Sequence, residues 1–183
     1  MREFLDDSFT FLGRGCEQGK ADRYNVAVPS IMRDFKIRDF KPEDFETLWL
    51  IDQVCFPQGI SYSRQELKVY MRRRGAFTLV AADSATGALA GFIVAHGGPT
   101  GHIITIDVIA EARRTGVGSL LLRAAEDRLR AAGSRGAGLE VAVDNVSALS
   151  FYKRHGYSVI RTWPRYYSNG VDALVMKKDL DAA

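Results

Sequence analysis

Cysteine is almost missing from this chain: Cys16 and Cys55 are the only two in 183 residues. A disulfide framework is excluded as the source of stability, and a reduced setting is favoured. Long apolar runs are also lacking. No stretch approaches the roughly 18 residues of a membrane span. The start, Met1-Arg2-Glu3-Phe4-Leu5-Asp6-Asp7, has neither the basic region nor the apolar run of an export signal. A cytoplasmic location without membrane association is the expectation. Charge of one sign is scarce too, since 25 Lys and Arg against 22 Asp and Glu leave only +3. That excess is too small to form an electrostatic footprint for nucleic acid.

What is there is ordinary globular material. Hydrophobic residues make up 46% and charged residues 26%, enough for a sizeable core. The length suits one compact domain with an appended segment. Residues 1–34 mix Gly13, Gly15, Gly19, charges and isolated aromatics without helical or strand period, and are read as an N-terminal extension. Residues 35–183 form the domain proper.

Its pattern predicts elements in turn. Phe35 to Arg38 alternates as a strand, and Phe45, Leu48, Trp49 and Asp52 follow at helical spacing behind Pro42. Ser63 with Glu66 caps a second helix. Residues 77–82 and 90–95 are strand-like and joined by Asp83-Ser84-Ala85-Thr86-Gly87, a hairpin. His102 to Val108 is a further strand, Gly116 to Ala132 an amphipathic helix closed by Gly133, and Ala137 to Val143 a strand. This strand, helix, strand succession predicts a right-handed parallel crossover. A helix from Ser147 to His155 and strands at 157–160 and 173–177 complete the chain.

Arg113-Arg114-Thr115-Gly116-Val117-Gly118-Ser119 lies between a strand and a helix. Glycines there let several N–H groups approach an anion at the positive helix end, which suits a pyrophosphate; a plain glycine turn with solvated arginines suits the residues equally. A mononucleotide loop is disfavoured because Ser119-Leu120 stands where Gly-Lys-Ser/Thr needs its lysine and hydroxyl. A dinucleotide fingerprint is incomplete because Leu121 occupies its third glycine position.

The segment Ile104-Thr105-Ile106-Asp107-Val108 followed by Arg113-Arg114-Thr115-Gly116-Val117-Gly118, together with Leu139-Glu140-Val141 through Asn145, Ala148, Tyr152 and Gly156-Tyr157, resembles the GCN5-related N-acetyltransferase superfamily. Within it the chain is similar to RimI-like ribosomal-protein alanine N-terminal acetyltransferases, over roughly Phe35 to Lys178. Ala110 departs from the proline common there. The resemblance implies a mixed α/β fold with a mostly antiparallel central sheet, a parallel splay and helices on both faces. It implies acetyl transfer from acetyl-CoA to a primary amine, foremost a protein N-terminus. Acetylation of a small-molecule amine, or acyl-CoA binding without turnover, are the alternatives.

Site residues follow from the same resemblance. Arg113, Arg114, Thr115, Gly116, Val117, Gly118 and Ser119 would hold the pyrophosphate. The strand at Ile106, Asp107 and Val108 would pair with the pantetheine arm, Asn145 would contact it, and an N–H near Val108 would steady the thioester oxygen. Glu140 matches the base and Tyr152 the acid. Tyr62, Tyr166 and Tyr167 would flank the acceptor. Read from the residues alone, Tyr152 also fits a core tyrosine and Glu140 a solvent-facing strand residue. His96, His102 and His155 lack metal-ligand spacing and read as loop or surface histidines, so no metal is expected. Cys55 reads as a buried thiol. Monomer and homodimer are both compatible.

Overall fold

The computed structural model describes residues 34–55, 61–167 and 170–181. Cys16, the rest of the extension up to residue 33 and the stretch 56–60 lie outside the described residues. The first half of the chain contributes β1 (Phe35–Asp39), α1 (Phe45–Cys55), α2 (Arg64–Arg72), β2 (Ala76–Asp83) and β3 (Leu89–His96). The second half contributes β4 (Gly101–Val108), α3 (Val117–Ala131), β5 (Gly136–Ala142), α4 (Val146–Arg154), β6 (Ser158–Trp163) and β7 (Ala173–Asp179).

Local chemistry sets the helix starts. Ser63 Oγ accepts from Glu66 N–H at 3.2 Å while Glu66 Oε2 accepts from Ser63 N–H at 2.8 Å, the capping box predicted for α2. Asn145 caps α4 through its Oδ1, which accepts from Ala148 N–H at 3.1 Å. The N-terminus of α3 differs: Gly116 occupies its cap with φ +96° and no side chain caps it.

The strands form one sheet in the order β1-β2-β3-β4-β5-β7-β6. Every neighbouring pair is antiparallel except β4 and β5, which run parallel and pair only at Gly101 with Ala137 and His102 with Gly138. Beyond that contact the two strands diverge. The closed end is pinned by α3, because a Cβ on Gly101 would sit 2.7 Å from Leu129. The mixed sheet with its parallel splay is the architecture expected above.

Each face of the sheet has its own core. On one, Leu121, Leu122, Ala125 and Leu129 of α3 and Tyr152 of α4 pack on Ile93, Ile103, Ile106 and Leu139. On the other, Leu48 and Ile51 of α1 and Leu67 and Tyr70 of α2 pack on Val80, Phe92, Val94 and Ile104. Two apolar layers thus hold the sheet rigid on both sides of the splay.

Candidate active site

Where β4 leaves β5, a cavity of about 630 Å³ opens. Its wall combines Ile106, Asp107 and Val108 of β4, Arg113, Arg114, Gly116, Gly118 and Ser119 of the following turn and helix start, Ser147, Ala148, Phe151 and Arg154 of α4, and Cys55 of α1. Backbone geometry makes one end of it an anion cradle. Arg114 at φ +65° and Gly116 at φ +96° bend the chain so that the first-turn amides of α3 face outward. Among the described residues no side chain caps them, and none lies within 4 Å of where a Gly116 Cβ would be.

The β4 edge supplies the other end. Ile109 N–H donates to Ala90 O at 3.0 Å. By the alternation of an antiparallel ladder, the N–H groups of Ile106 and Val108 therefore point away from β3, into the splay. The carbonyl of Val108 is already engaged, accepting from Arg113 Nε at 2.9 Å and from the Cys55 thiol at 3.4 Å. Arg113 is thereby turned inward, its Nη2 3.7 Å from Cys55 Sγ. It braces the end of β4, while Arg114 is left to the cradle.

The ionisable groups around the splay are largely dry. Asp107 has no exposed surface; Oδ1 accepts from Thr105 Oγ1 at 2.9 Å and, among the described residues, Oδ2 has no hydrogen bond. Burial, then the neighbouring Asp52 carboxylate, holds its pKa well above the usual carboxylate range. Asp52 is pushed up to about 7 by burial, restrained by the Tyr62 N–H and the Gln53 amide. Burial also pushes the Cys55 thiol up to about 11, so it stays protonated and is no nucleophile. Tyr152 is fully buried, its hydroxyl has no hydrogen-bond partner among the described residues, and burial followed by the nearby Asp107 charge raises its pKa far above an ordinary phenol.

Glu140 does not face solvent. It is 4% exposed, on the α1 and α2 side of β5, with His102 Nε2 2.9 Å from its Oε2. This is ion-pair distance without hydrogen-bond geometry. His96 stacks on His102, with centroids 5.5 Å apart and ring planes 19° apart. The expectation of loop or surface histidines is therefore corrected: His96 ends β3 and His102 sits in β4. Strand pairing at the closed end of the splay carries His102 onto Glu140, a tertiary effect absent from spacing. His155 is half-buried at the end of α4, Nδ1 on Phe151 O at 2.8 Å and Nε2 on Ser119 Oγ at 2.9 Å.

The cavity wall thus gathers Ile106, Asp107, Val108, Arg113, Arg114, Gly116, Gly118 and Ser119. Thr115 lies beside it, its hydroxyl donating to Ala112 O at 2.8 Å. Val117 is core, and Asn145 is buried with its Oδ1 committed to the α4 cap. Glu140 and Tyr152 flank the splay outside the wall. Tyr62, Tyr166 and Tyr167 cluster on the α1 and α2 side, near enough for Tyr166 to act on Tyr62 and for Glu140 to act on Tyr167. Sequence reading missed Ser147, Phe151 and Arg154 as wall residues. The spacing of Ser147, Phe151 and Arg154 along α4 puts them on one helix face, the only signal available for them.

Comparison with known proteins then decides the family. Residues 38–157, about two thirds of the chain, match the acetyltransferase (GNAT) family. The chain belongs to that family. This GNAT domain is 27% identical to an N-alpha-acetyltransferase of Sulfurisphaera tokodaii, over 81% of this chain and 95% of that one. It is 33% identical to N-alpha-acetyltransferase 30 of Schizosaccharomyces pombe, over 61% and 77%. Among solved structures it superposes on Ard1 from Thermoplasma volcanium with a TM-score of 0.72 at 29% identity, covering 79% of this chain and 97% of that one. The Escherichia coli ribosomal-protein-S18-alanine N-acetyltransferase shares the fold at a TM-score of 0.71 and 20% identity, over 82% and 96%. The activity is acetyl transfer from acetyl-CoA to an amine. The α3 amides without a side-chain cap and the β4 edge from Ile106 to Val108, which faces the splay, fit that cosubstrate. Among the described residues no helix is long and apolar enough to cross a membrane.

Proposed function

We propose that the acceptor is the α-amine of a protein or peptide N-terminus. One observation carries this reading: the chain aligns along nearly the whole length of an N-alpha-acetyltransferase, with the splay and its cradle inside the aligned family region. The tyrosine cluster at 62, 166 and 167 supports it, offering aromatic surface and hydroxyls to an extended peptide beside the splay. Residues 35–183 form the transferase domain, and residues 1–34 an extension to it.

Acetyl-CoA supplies an activated thioester. The chain's own residues do the rest. The amides from Arg114 to Ser119 hold the diphosphate, and the N–H groups of Ile106 and Val108 hold the pantetheine arm and polarise the thioester oxygen. An α-amine with a pKa near 8 is partly protonated at neutral pH. Glu140, with His102 beside it, takes that proton directly or through water. Tyr152, held un-ionised by burial, returns a proton to the departing sulfur.

The test is incubation with acetyl-CoA and peptides of varied first residue, beside a panel of polyamines, aminoglycosides and free amino acids. Products are identified by mass. Acetylation at peptide N-termini at rates well above the small amines is expected. Turnover confined to the small amines overturns the acceptor reading.

A further inference from the structure

We propose that Asp107 enters the reaction as a neutral carboxylic acid and restores the proton that Tyr152 gives to the departing sulfur. The inference rests on the acid role proposed for Tyr152, and the identity of the acceptor does not enter it.

Asp107 sits in the cavity wall on β4, between Ile106 and Val108, and is fully buried. Thr105 Oγ1 donates to its Oδ1 at 2.9 Å, while Oδ2 has no hydrogen bond among the described residues. A dry carboxylate needs several donors to stay ionised, and one hydroxyl is too few. The charged and titratable groups around it do not make up the difference. From α1, Asp52 opposes a second negative charge, and the Cys55 thiol is spent on Val108 O at 3.4 Å. From the turn, Arg113 attracts it, but the Nε of that guanidinium is held on Val108 O at 2.9 Å. Tyr62, ahead of α2, and Tyr152, on α4, also lie within reach of its charge. Asp107 therefore keeps its proton at neutral pH.

Tyr152 is the neighbour with a matching need. Its hydroxyl is buried without a hydrogen-bond partner among the described residues. Its ring packs in the same core as Ile106 and Val108, the residues on either side of Asp107. Burial makes Tyr152 a poor acid by itself, because a proton lost to sulfur leaves a phenolate in a dry site. A carboxylic acid begins about six units more acidic than a phenol, and burial raises both, so passing a proton from Asp107 to a Tyr152 phenolate runs downhill. As the carbon–sulfur bond breaks, Tyr152 gives its proton to the sulfur, and Asp107 gives its own to Tyr152. The negative charge ends on the Asp107 carboxylate, where Arg113 attracts it. After product release Glu140 loses the amine's proton to solvent and Asp107 takes one up, which closes the proton balance.

Infrared spectra of the protein without coenzyme, at about pH 8.5 where Asp52 is ionised, test the protonation. A protonated-carboxyl band is expected in wild type and is expected to be lost from Asp107→Asn, a neutral isostere that keeps an oxygen for Thr105. A wild-type spectrum without that band overturns the proposal whether or not the variant folds. Turnover is read as thiol released from acetyl-CoA with peptides and small amines supplied together. Asp107→Asn is expected to slow it about 10²-fold with CoA affinity unchanged. Combined with Tyr152→Phe, it is expected to be no slower than Tyr152→Phe alone, because both act on one proton. Full turnover in Asp107→Asn, or losses that multiply in the double variant, overturns the proposal and leaves the acid role of Tyr152 standing. Full turnover in Tyr152→Phe overturns both.

Discussion

Tyr152 brings a hydroxyl into the core where no described residue hydrogen-bonds it. An unpartnered buried hydroxyl costs stability, so a fold keeps one only where chemistry uses it or a tighter core is not reached. Tyr152→Phe separates those cases. Its melting temperature is expected to equal or exceed that of wild type, its CoA affinity to be unchanged, and its turnover to fall by about 10²-fold. Full turnover in the phenylalanine variant would reject the acid role. The residue's identity was legible in the chain through its place between Ala148 and Gly156. Its environment was not, because burial and the nearby Asp107 arise from α4 lying over β4, elements separated by the whole of α3 and β5. The same holds for Glu140: alternation along β5 put it opposite Leu139 and Val141, but only the α1 and α2 layer decided that this side is covered.

At the scale of elements, the turn from β4 into α3 does the binding. Gly116 needs its left-handed conformation to begin α3 without a capping side chain. Gly118 needs something else, since an added Cβ would already touch the Phe151 ring. Larger branches must then project into the cradle. Gly118→Val is expected to weaken CoA binding at least tenfold while lowering stability by about 1–2 kcal/mol, the cost of modest overpacking. Binding by calorimetry alongside thermal melting checks the pair of values, and an affinity that survives the change would remove backbone access as the basis of the cradle. Element boundaries agreed with the residue pattern almost throughout because the capping residues Ser63 and Asn145 and the left-handed Gly133 and Gly156 act locally. His102 shows the limit. It was placed in a strand by its β-branched neighbours, yet its partner Glu140 came from the parallel pairing at the closed end of the splay.

For the molecule as a whole, two cores on opposite faces clamp a sheet that is deliberately left open in its middle, and the opening concentrates buried acids. Asp52 and Asp107 share the α1 side with few hydrogen bonds between them. With a folded pKa near 7 against about 4 when unfolded, Asp52 binds its proton more tightly in the native state. Its contribution to stability is full below the unfolded value and is lost as pH rises from about 4 to about 7. Asp52→Asn removes that dependence. The melting temperature of the variant relative to wild type should therefore climb by on the order of 5 °C between pH 4.5 and pH 7.5. A difference that stays flat across that range would show Asp52 ionised throughout.

The sequence by itself determined the element order, the glycine turn that opens α3 and the residue types that acetyl transfer needs, because helix caps, strand alternation and left-handed glycines act over a few residues. Tertiary structure alone decided that β4 and β5 touch at two positions and then part, that His102 meets Glu140, and that α4 joins the start of α3 in one cavity wall. Those facts depend on which strands become neighbours and how helices cross them. Such contacts join residues dozens of positions apart, and no local pattern encodes them.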